Sequence, residues 1–177
     1  MTKLIGLSGK SGSGKDHIAQ HILRPLGYHQ FSLSWHFKVE TVGLQHGTRQ
    51  EVFHTKPNHI RQRLQLRGTE EGRMVYGDDV WCRHALEWMY IFEMHWGIDR
   101  FVLADIRYPN EVKFVQSNGG LVFRVEAPNR VAQNKLSPEQ RQHDSEIALD
   151  GYSQFDGTIY NDEGDDAAAQ LLPLLHV

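Results

Sequence analysis

The sequence predicts an α/β fold, a five-stranded parallel sheet with helices on both faces, and three observations carry that reading. Short apolar runs alternate with longer helical stretches along the chain. A glycine-rich loop separates the first apolar run from the first helical stretch. The 177 residues, 40% of them apolar, suit a single domain with a full hydrophobic core and argue against disorder. Such alternation predicts right-handed crossovers, which lay helices over both faces of a parallel sheet.

In chain order, Leu4-Ile5-Gly6-Leu7 reads as a buried strand and Asp16 to Leu23 as an amphipathic helix. Gly27 to Leu33 reads as a second strand. Residues 58–98 are dominated by helix, with a break expected around Gly68 to Asp79. Arg100 to Asp105 is the clearest later strand, Leu121 to Val125 follows Gly119-Gly120 as a fourth, and Gly157 to Tyr160 is a fifth. Asp165 to Leu175 reads as a closing helix. Asn129 to Asp150 is the exception, polar and weakly periodic. Neither an internal repeat nor an interdomain linker interrupts the chain, so a single domain over 1–177 is expected.

A formal charge of −3 provides no general basic field for duplex nucleic acid, although Arg61, Arg63, Arg67 and Arg73 concentrate positive charge locally. The expected ligand is a small anion, not a nucleic-acid polymer. The one cysteine, Cys82, excludes an internal disulfide and points to a reducing compartment. The start Met1-Thr2-Lys3-Leu4 lacks the pattern of a signal peptide, and no apolar run is long enough to span a bilayer; a cytoplasmic protein without a membrane partner is expected. The sequence leaves a homodimer open. Eleven histidines do not assemble a zinc spacing with Cys82.

Gly9-Lys10-Ser11-Gly12-Ser13-Gly14-Lys15-Asp16 has the spacing of a phosphate-binding loop, between a strand and a helix as that motif requires. Glycines at 9, 12 and 14 allow positive φ, so the backbone N–H groups of the loop turn inward on an anion at the positive end of the helix. Lys15 then reaches the β- and γ-phosphates of a nucleotide. Asp16 stands where a Ser or Thr usually holds Mg²⁺; beside a triphosphate a carboxylate is repelled unless a cation intervenes, so Asp16 is expected to face Mg²⁺. The alternative is an acid that only favours the helix dipole.

Asp105-Ile106-Arg107 falls where a strand ends on the edge at which the phosphate loop opens. Asp105 there can hold the water shell of Mg²⁺ and Arg107 can fork onto phosphate oxygens; a mutual ion pair is the alternative. Arg63 and Arg67, four apart, share one helix face, with Arg73 beyond the break, and suit either a phosphate acceptor or a solvated face laced by Glu70 and Glu71. Trp81 and Trp88, near Leu86, Met89 and Phe92, read as core. Arg130, Lys135 and Arg141 precede His143-Asp144-Ser145-Glu146, and a mobile lid over about 129–150 would bring those cations over a transferring phosphoryl group. Capping of a short helix by Asp144 or Ser145 is the alternative. Asn161-Asp162-Glu163-Gly164 either wraps an adenine ring through backbone contacts or is a plain turn.

Together, the loop ending Gly14-Lys15-Asp16, the segment Arg63-Leu64-Gln65 to Gly68-Thr69-Glu70 with Arg73 and Trp81, the strand end Ala104-Asp105-Ile106-Arg107-Tyr108-Pro109-Asn110-Glu111, and His143-Asp144-Ser145-Glu146 resemble the bacteriophage deoxynucleoside monophosphate kinases. The likeness runs in order over nearly the whole chain. Animal phosphomevalonate kinases look similar in the Lys-Asp loop ending, the acid and arginine after a strand and the Ser-Glu pair. Pro109-Asn110-Glu111 and Gly68-Thr69-Glu70 favour the phage family. The resemblance implies a three-layer P-loop fold of the nucleoside monophosphate kinase type and transfer of the ATP γ-phosphoryl group to a deoxynucleoside monophosphate, in the host cytoplasm if phage-encoded. It implies donor contacts from Gly9, Ser11, Gly12, Ser13, Gly14, Lys15, Asp16 and Asn161, and catalytic parts for Lys15, Asp16, Asp105, Arg107, Arg130 and Arg141. Asp16 and Asp105 would organise Mg²⁺. Acceptor contacts fall to Lys38, Arg63, Arg67, Arg73, Arg107, Glu111, Ser145 and Glu146. Ser34-Trp35-His36-Phe37-Lys38 departs from the more typical Asp-Pro-Leu-Lys segment and keeps only its lysine. A kinase of another small phosphorylated acceptor and a P-loop protein that binds nucleotide without turnover are the alternatives.

Overall fold

Leu4–Ser8 (β1), His29–Phe31 (β2), Phe101–Ile106 (β3), Leu121–Glu126 (β4) and Gly157–Tyr160 (β5) pair in parallel in the order β2-β3-β1-β4-β5. The computed structural model describes residues 3–134 and 136–175, in two compact units, Met1–Phe31 with Trp96–Val177 and Ser32–His95. Lys135, Met1 and Thr2 lie outside the described residues. Every residue of β1 is buried, which is why Leu4 to Leu7 run without a polar residue instead of alternating. Ile5, Leu7, Val102, Phe123, Val125 and Ile159 from the sheet pack with Ile18, Leu23 and Leu171 from the surrounding helices. The chain leaves β1 for β2 on one side and later crosses from β3 to β4 on the other. A crevice therefore opens at the C-terminal end of β1.

All five strands fall where the periodicity places them, with one shortened. In place of Gly27 to Leu33, only His29–Phe31 pairs, because the Tyr28 N–H is drawn back to the Leu23 carbonyl at 3.3 Å. The first helix is α-helical over Lys15–Ile18 and continues through Ala19–Leu23 in wider π-type turns. The closing helix is Ala167–Leu171, tightening to a 3₁₀ turn over Leu172–Leu175.

The Ser32–His95 unit is helical: Trp35–Gly43, Glu51–Thr55, Asn58–Gly68, Thr69–Arg73, Met74–Tyr76, and nearly all of Val80–Trp96. The break expected at Gly68 to Asp79 shrinks to the residues after Tyr76. A π-type turn carries the chain past Gly68, and the Trp81 indole N–H donates to the Gly68 carbonyl at 2.7 Å, satisfying an acceptor that the widened turn would expose. Trp81 is core at 3% exposure, as its spacing predicts, but Trp88 is 37% exposed and is not. Among the described residues, no helix is long and apolar enough to cross a membrane.

The polar segment after β4 folds into three short helices, Pro128–Ala132, Pro138–Arg141 and Asp144–Ile147. Ser137 and Gln140 form a reciprocal capping box at the second. The cap of the third is His143, whose Nδ1 accepts the Ser145 N–H at 3.2 Å, so neither Asp144 nor Ser145 takes the capping position.

Candidate functional site

The C-terminal ends of the strands collect the groups that sequence reasoning singles out in the first unit. After β1 the loop turns through Gly9, Gly12 and Gly14 at φ of 148°, 89° and 90°. A side chain at Gly9 would overlap the Val125 carbonyl, and one at Gly14 would overlap the Asn161 amide, so both positions exclude a Cβ on conformation and on space. Buried Ser13 donates its N–H to the Lys10 carbonyl at 3.1 Å and closes the turn. Lys15, 7% exposed, folds back over the loop: its Nζ donates to the Gly9 and Lys10 carbonyls, both at 2.8 Å. Burial, and secondarily the charge of Arg107, lower its pKa to about 8, against the pull of Glu146 and Asp16. A cation desolvated this far is stabilised by an incoming polyphosphate.

Arg107 follows β3, and buried Glu111 shapes the turn that carries it. One oxygen of Glu111 accepts the N–H groups of Arg107 at 2.6 Å and Tyr108 at 3.1 Å, at the start of the helix Pro109–Ser117. The Arg107 guanidinium donates to the Glu146 carboxylate and, at 3.2 Å, to the Ser145 carbonyl. The other Glu146 oxygen accepts the Ser11 N–H of the phosphate loop at 3.1 Å. Burial disfavours the Glu146 anion, yet the charge and hydrogen bond of Arg107 outweigh it and hold the carboxyl below its ordinary range. Asp16 is exposed in the first turn of the helix after the loop and accepts from Gln30 Nε2 at 2.7 Å, while Asp105 is the penultimate residue of β3, half-buried.

Asn161 follows β5 and braces the loop: its side-chain amide donates to the Ser13 carbonyl at 2.8 Å, and its own carbonyl accepts from Arg130 at 3.2 Å. Asp162 takes the N–H groups of Asn129 and Arg130, both at 3.1 Å. Asn134, which no motif announces, reaches the Ser11 carbonyl at 2.7 Å. Arg141 is engaged within its own segment, donating to the Asn134 carbonyl at 2.6 Å. Lys10 ties the same segment down through the Glu146 carbonyl at 2.6 Å and the Asp150 carboxylate.

In the Ser32–His95 unit the three arginines singled out from the sequence, Arg63, Arg67 and Arg73, are all engaged. Arg63 meets Glu71 at 2.6 Å, and Arg73, buried, donates to the Asp78 carbonyl at 2.8 Å. Arg67 forks onto Glu40 at 2.8 and 2.9 Å, donates to the Glu71 carbonyl and lies 5.5 Å over the Trp81 ring. That fork holds the Glu40 carboxyl below its ordinary range. Beside the pair opens a cavity of about 490 Å³, lined in part by His36, Glu40, Arg67, Tyr76, Trp81 and His84. The His36 and His84 rings stack at 3.8 Å and 9°, and burial, with His36 and Arg83 adding to it, lowers the His84 pKa. Lys38 lies on the helix Trp35–Gly43, half-buried. Neither the stacked imidazoles nor the cavity is announced by a motif; the unusual Trp35-His36 pair is the one sequence signal near them. Among the described residues no cluster of three or more His, Cys, Asp or Glu forms a metal site.

With this geometry the chain has an α/β kinase-like fold, and solved structures share it. It aligns with TT1252 from Thermus thermophilus at a TM-score of 0.62 and 17% identity, covering 99% of this chain and 96% of that one. The dephospho-CoA kinase from Campylobacter jejuni aligns at 0.52 and 17%, again over 99% and 96%. In sequence, the chain is 22% identical over 178 aligned residues to a protein of Acanthamoeba polyphaga mimivirus named "Putative deoxynucleotide monophosphate kinase", spanning 90% of this chain and 89% of that protein. No family model matches.

Proposed function

We propose that the protein is an ATP- and Mg²⁺-dependent deoxynucleoside monophosphate kinase of the kind phages encode, converting a deoxynucleoside monophosphate and ATP to the diphosphate and ADP. The observation that carries this reading is the phosphate loop, with its glycines at positive φ and Lys15 buried across it. The viral relative, and the resemblance of residues Asp105 through Glu111 and of the Lys15-Asp16 loop ending to phage kinases, support the choice of acceptor.

In this reading Gly9, Ser11, Gly12, Ser13 and Gly14 cradle the donor phosphates with backbone N–H groups, and Lys15 turns from the loop carbonyls to the β- and γ-phosphates. Phosphoryl transfer asks the protein for alignment and charge neutralisation, without a covalent intermediate. Arg107 grips the transferring group, and Glu111 fixes the turn beneath it. Asn161 holds the loop in shape beside the adenine end. Asp16, in the first turn of the helix after the loop, and Asp105, next to last in β3, offer hard carboxylate oxygens, the donor type Mg²⁺ prefers when phosphate and water complete its shell, and these two would hold it. When bound there, Mg²⁺ would supply neutralisation of charge on the phosphates.

The acceptor base enters the cavity beside His36, His84 and Trp81, with Glu40 and Arg67 as its polar wall, and Lys38, Arg63 and Arg73 of the same unit are further acceptor contacts in this reading. The whole chain works as one P-loop kinase domain, with residues 129–150 as the lid that carries Arg130, Arg141, Ser145 and Glu146. The one cysteine of the sequence, Cys82, is buried and suits work in a reducing cytoplasm.

The test is a product assay with ATP and Mg²⁺ against deoxy- and ribonucleoside monophosphates, with phosphomevalonate alongside. ADP and a deoxynucleoside diphosphate should appear together. Turnover of phosphomevalonate alone, or ATP binding without turnover on any acceptor, would overturn the proposal.

A further inference from the structure

The seat that the phosphate loop offers to an anion is held by one of the chain's own carboxylates. One Glu146 oxygen takes the Ser11 amide at 3.1 Å and the other takes the Arg107 guanidinium. The main chain around it is pinned to the same two elements, since Lys10 Nζ donates to the Glu146 carbonyl at 2.6 Å and Arg107 donates to the Ser145 carbonyl at 3.2 Å. A loop amide, an arginine and an adjacent buried lysine form the donor set that a phosphoryl group would claim. The Glu146 side chain is 10% exposed, so it sits in this seat instead of screening it from solvent. Lys15 is turned onto the Gly9 and Lys10 carbonyls at the same time. Both halves of the site are thus satisfied from within.

We infer that Glu146 is an internal competitor for the terminal phosphoryl group, a carboxylate stopper that must leave the Ser11 amide and Arg107 when a triphosphate enters. The inference rests on the reading of the loop as the donor site. Exchange of one anion for another keeps Arg107 and the loop amide paired at every stage, which avoids stranding a desolvated cation. It also subtracts the strength of the Glu146 contacts from the affinity for triphosphate. Because Glu146 belongs to the short helix Asp144–Ile147, its departure frees the residues that Arg107 and Lys10 hold, so filling the seat and releasing the segment are one event. A diphosphate that leaves the terminal position empty would let Glu146 stay.

Equilibrium binding of inorganic tripolyphosphate, of a non-hydrolysable ATP analogue and of ADP to the full chain tests this in the wild type, Glu146→Gln and Glu146→Ala. The uncharged variants should bind tripolyphosphate and the analogue about fivefold to tenfold more tightly, because no charge-assisted pair has to be broken first, and ADP with little change. Unchanged or weaker binding in both variants overturns the stopper while leaving the donor site standing; absence of binding in every protein, wild type included, overturns both. Hydrogen exchange on the wild type gives an answer that does not depend on the variants folding. Protection over residues 144–147 should fall when tripolyphosphate binds, and undiminished protection would overturn the inference.

Discussion

The cations of the sheet unit and those of the helical unit are held in opposite ways. At the strand ends, Arg107 pairs with an acid that also takes a loop amide, and in the proposed reading that pairing marks an anion seat. In the Ser32–His95 unit, Arg67 and Glu40 close on one another in a two-pronged fork beside an open cavity, so the pairing builds a wall. The difference teaches that an arginine's partner, more than its position on a helix face, separates a phosphate grip from a pocket scaffold. A backbone nest defines the first region, and side-chain packing defines the second.

The largest effect expected from breaking this contrast is at Lys15. Lys15→Ala removes the fixed cation from the donor phosphates and should lower turnover by about 10²- to 10³-fold, as loss of a preorganised electrostatic contact does, with acceptor binding by calorimetry unchanged. A loss of only a few fold would remove the loop from the chemistry. The pH profile probes the same group without mutation. With its pKa lowered to about 8 by burial, Lys15 loses its proton above that pH in the free protein, so kcat/KM for ATP should fall about tenfold per unit there. Stability should move the other way. The unfolded chain keeps this proton up to a pKa near 10.5, binding more protons than the native state between about 8 and 10.5, so this group's contribution to stability rises with pH across that window. Urea midpoints measured across the window check the sign.

The helical unit should respond differently. Glu40→Ala leaves Arg67 without its fork and should raise KM for the acceptor by about fivefold, roughly 1 kcal/mol, while KM for ATP stays constant. Equal effects on both substrates would dissolve the contrast between the two regions. The smallest effect is at Asp16. Asp16→Ala should raise the Mg²⁺ concentration needed for half-maximal rate severalfold, about 1 kcal/mol, and added Mg²⁺ should restore it, as it would not for Lys15→Ala. A wild-type Mg²⁺ titration would make Asp16 a helix-terminus residue only.

What the sequence shows in advance follows from range. The loop is legible because its glycines, lysine and flanking strand are adjacent in the chain, and backbone conformation dictates which residues fit. The strands are legible because burial on both faces leaves continuous apolar runs such as Leu4 to Leu7. Contacts across long separations are not: Glu146 meets Ser11 over 135 positions, and Asn161 meets Ser13 over 148. Helical spacing groups Trp81 with Trp88 but is silent on which of them the fold covers. Glu111 stands in a motif that resembles an acceptor contact, and its observed bonds run to the backbone beside Arg107. Residue type suggests the chemistry there, and the turn geometry decides which residue delivers it.

The central claim is that ATP held in the phosphate loop gives its γ-phosphoryl group to a phosphorylated nucleoside and leaves as ADP. The most direct measurement follows labelled γ-phosphate from ATP in the presence of Mg²⁺ and each deoxynucleoside monophosphate in turn. The account predicts label in the β-position of a deoxynucleoside diphosphate, one for each ADP formed, and none released as inorganic phosphate beyond the rate without protein. Label appearing only as inorganic phosphate, at a rate indifferent to every acceptor, would contradict it.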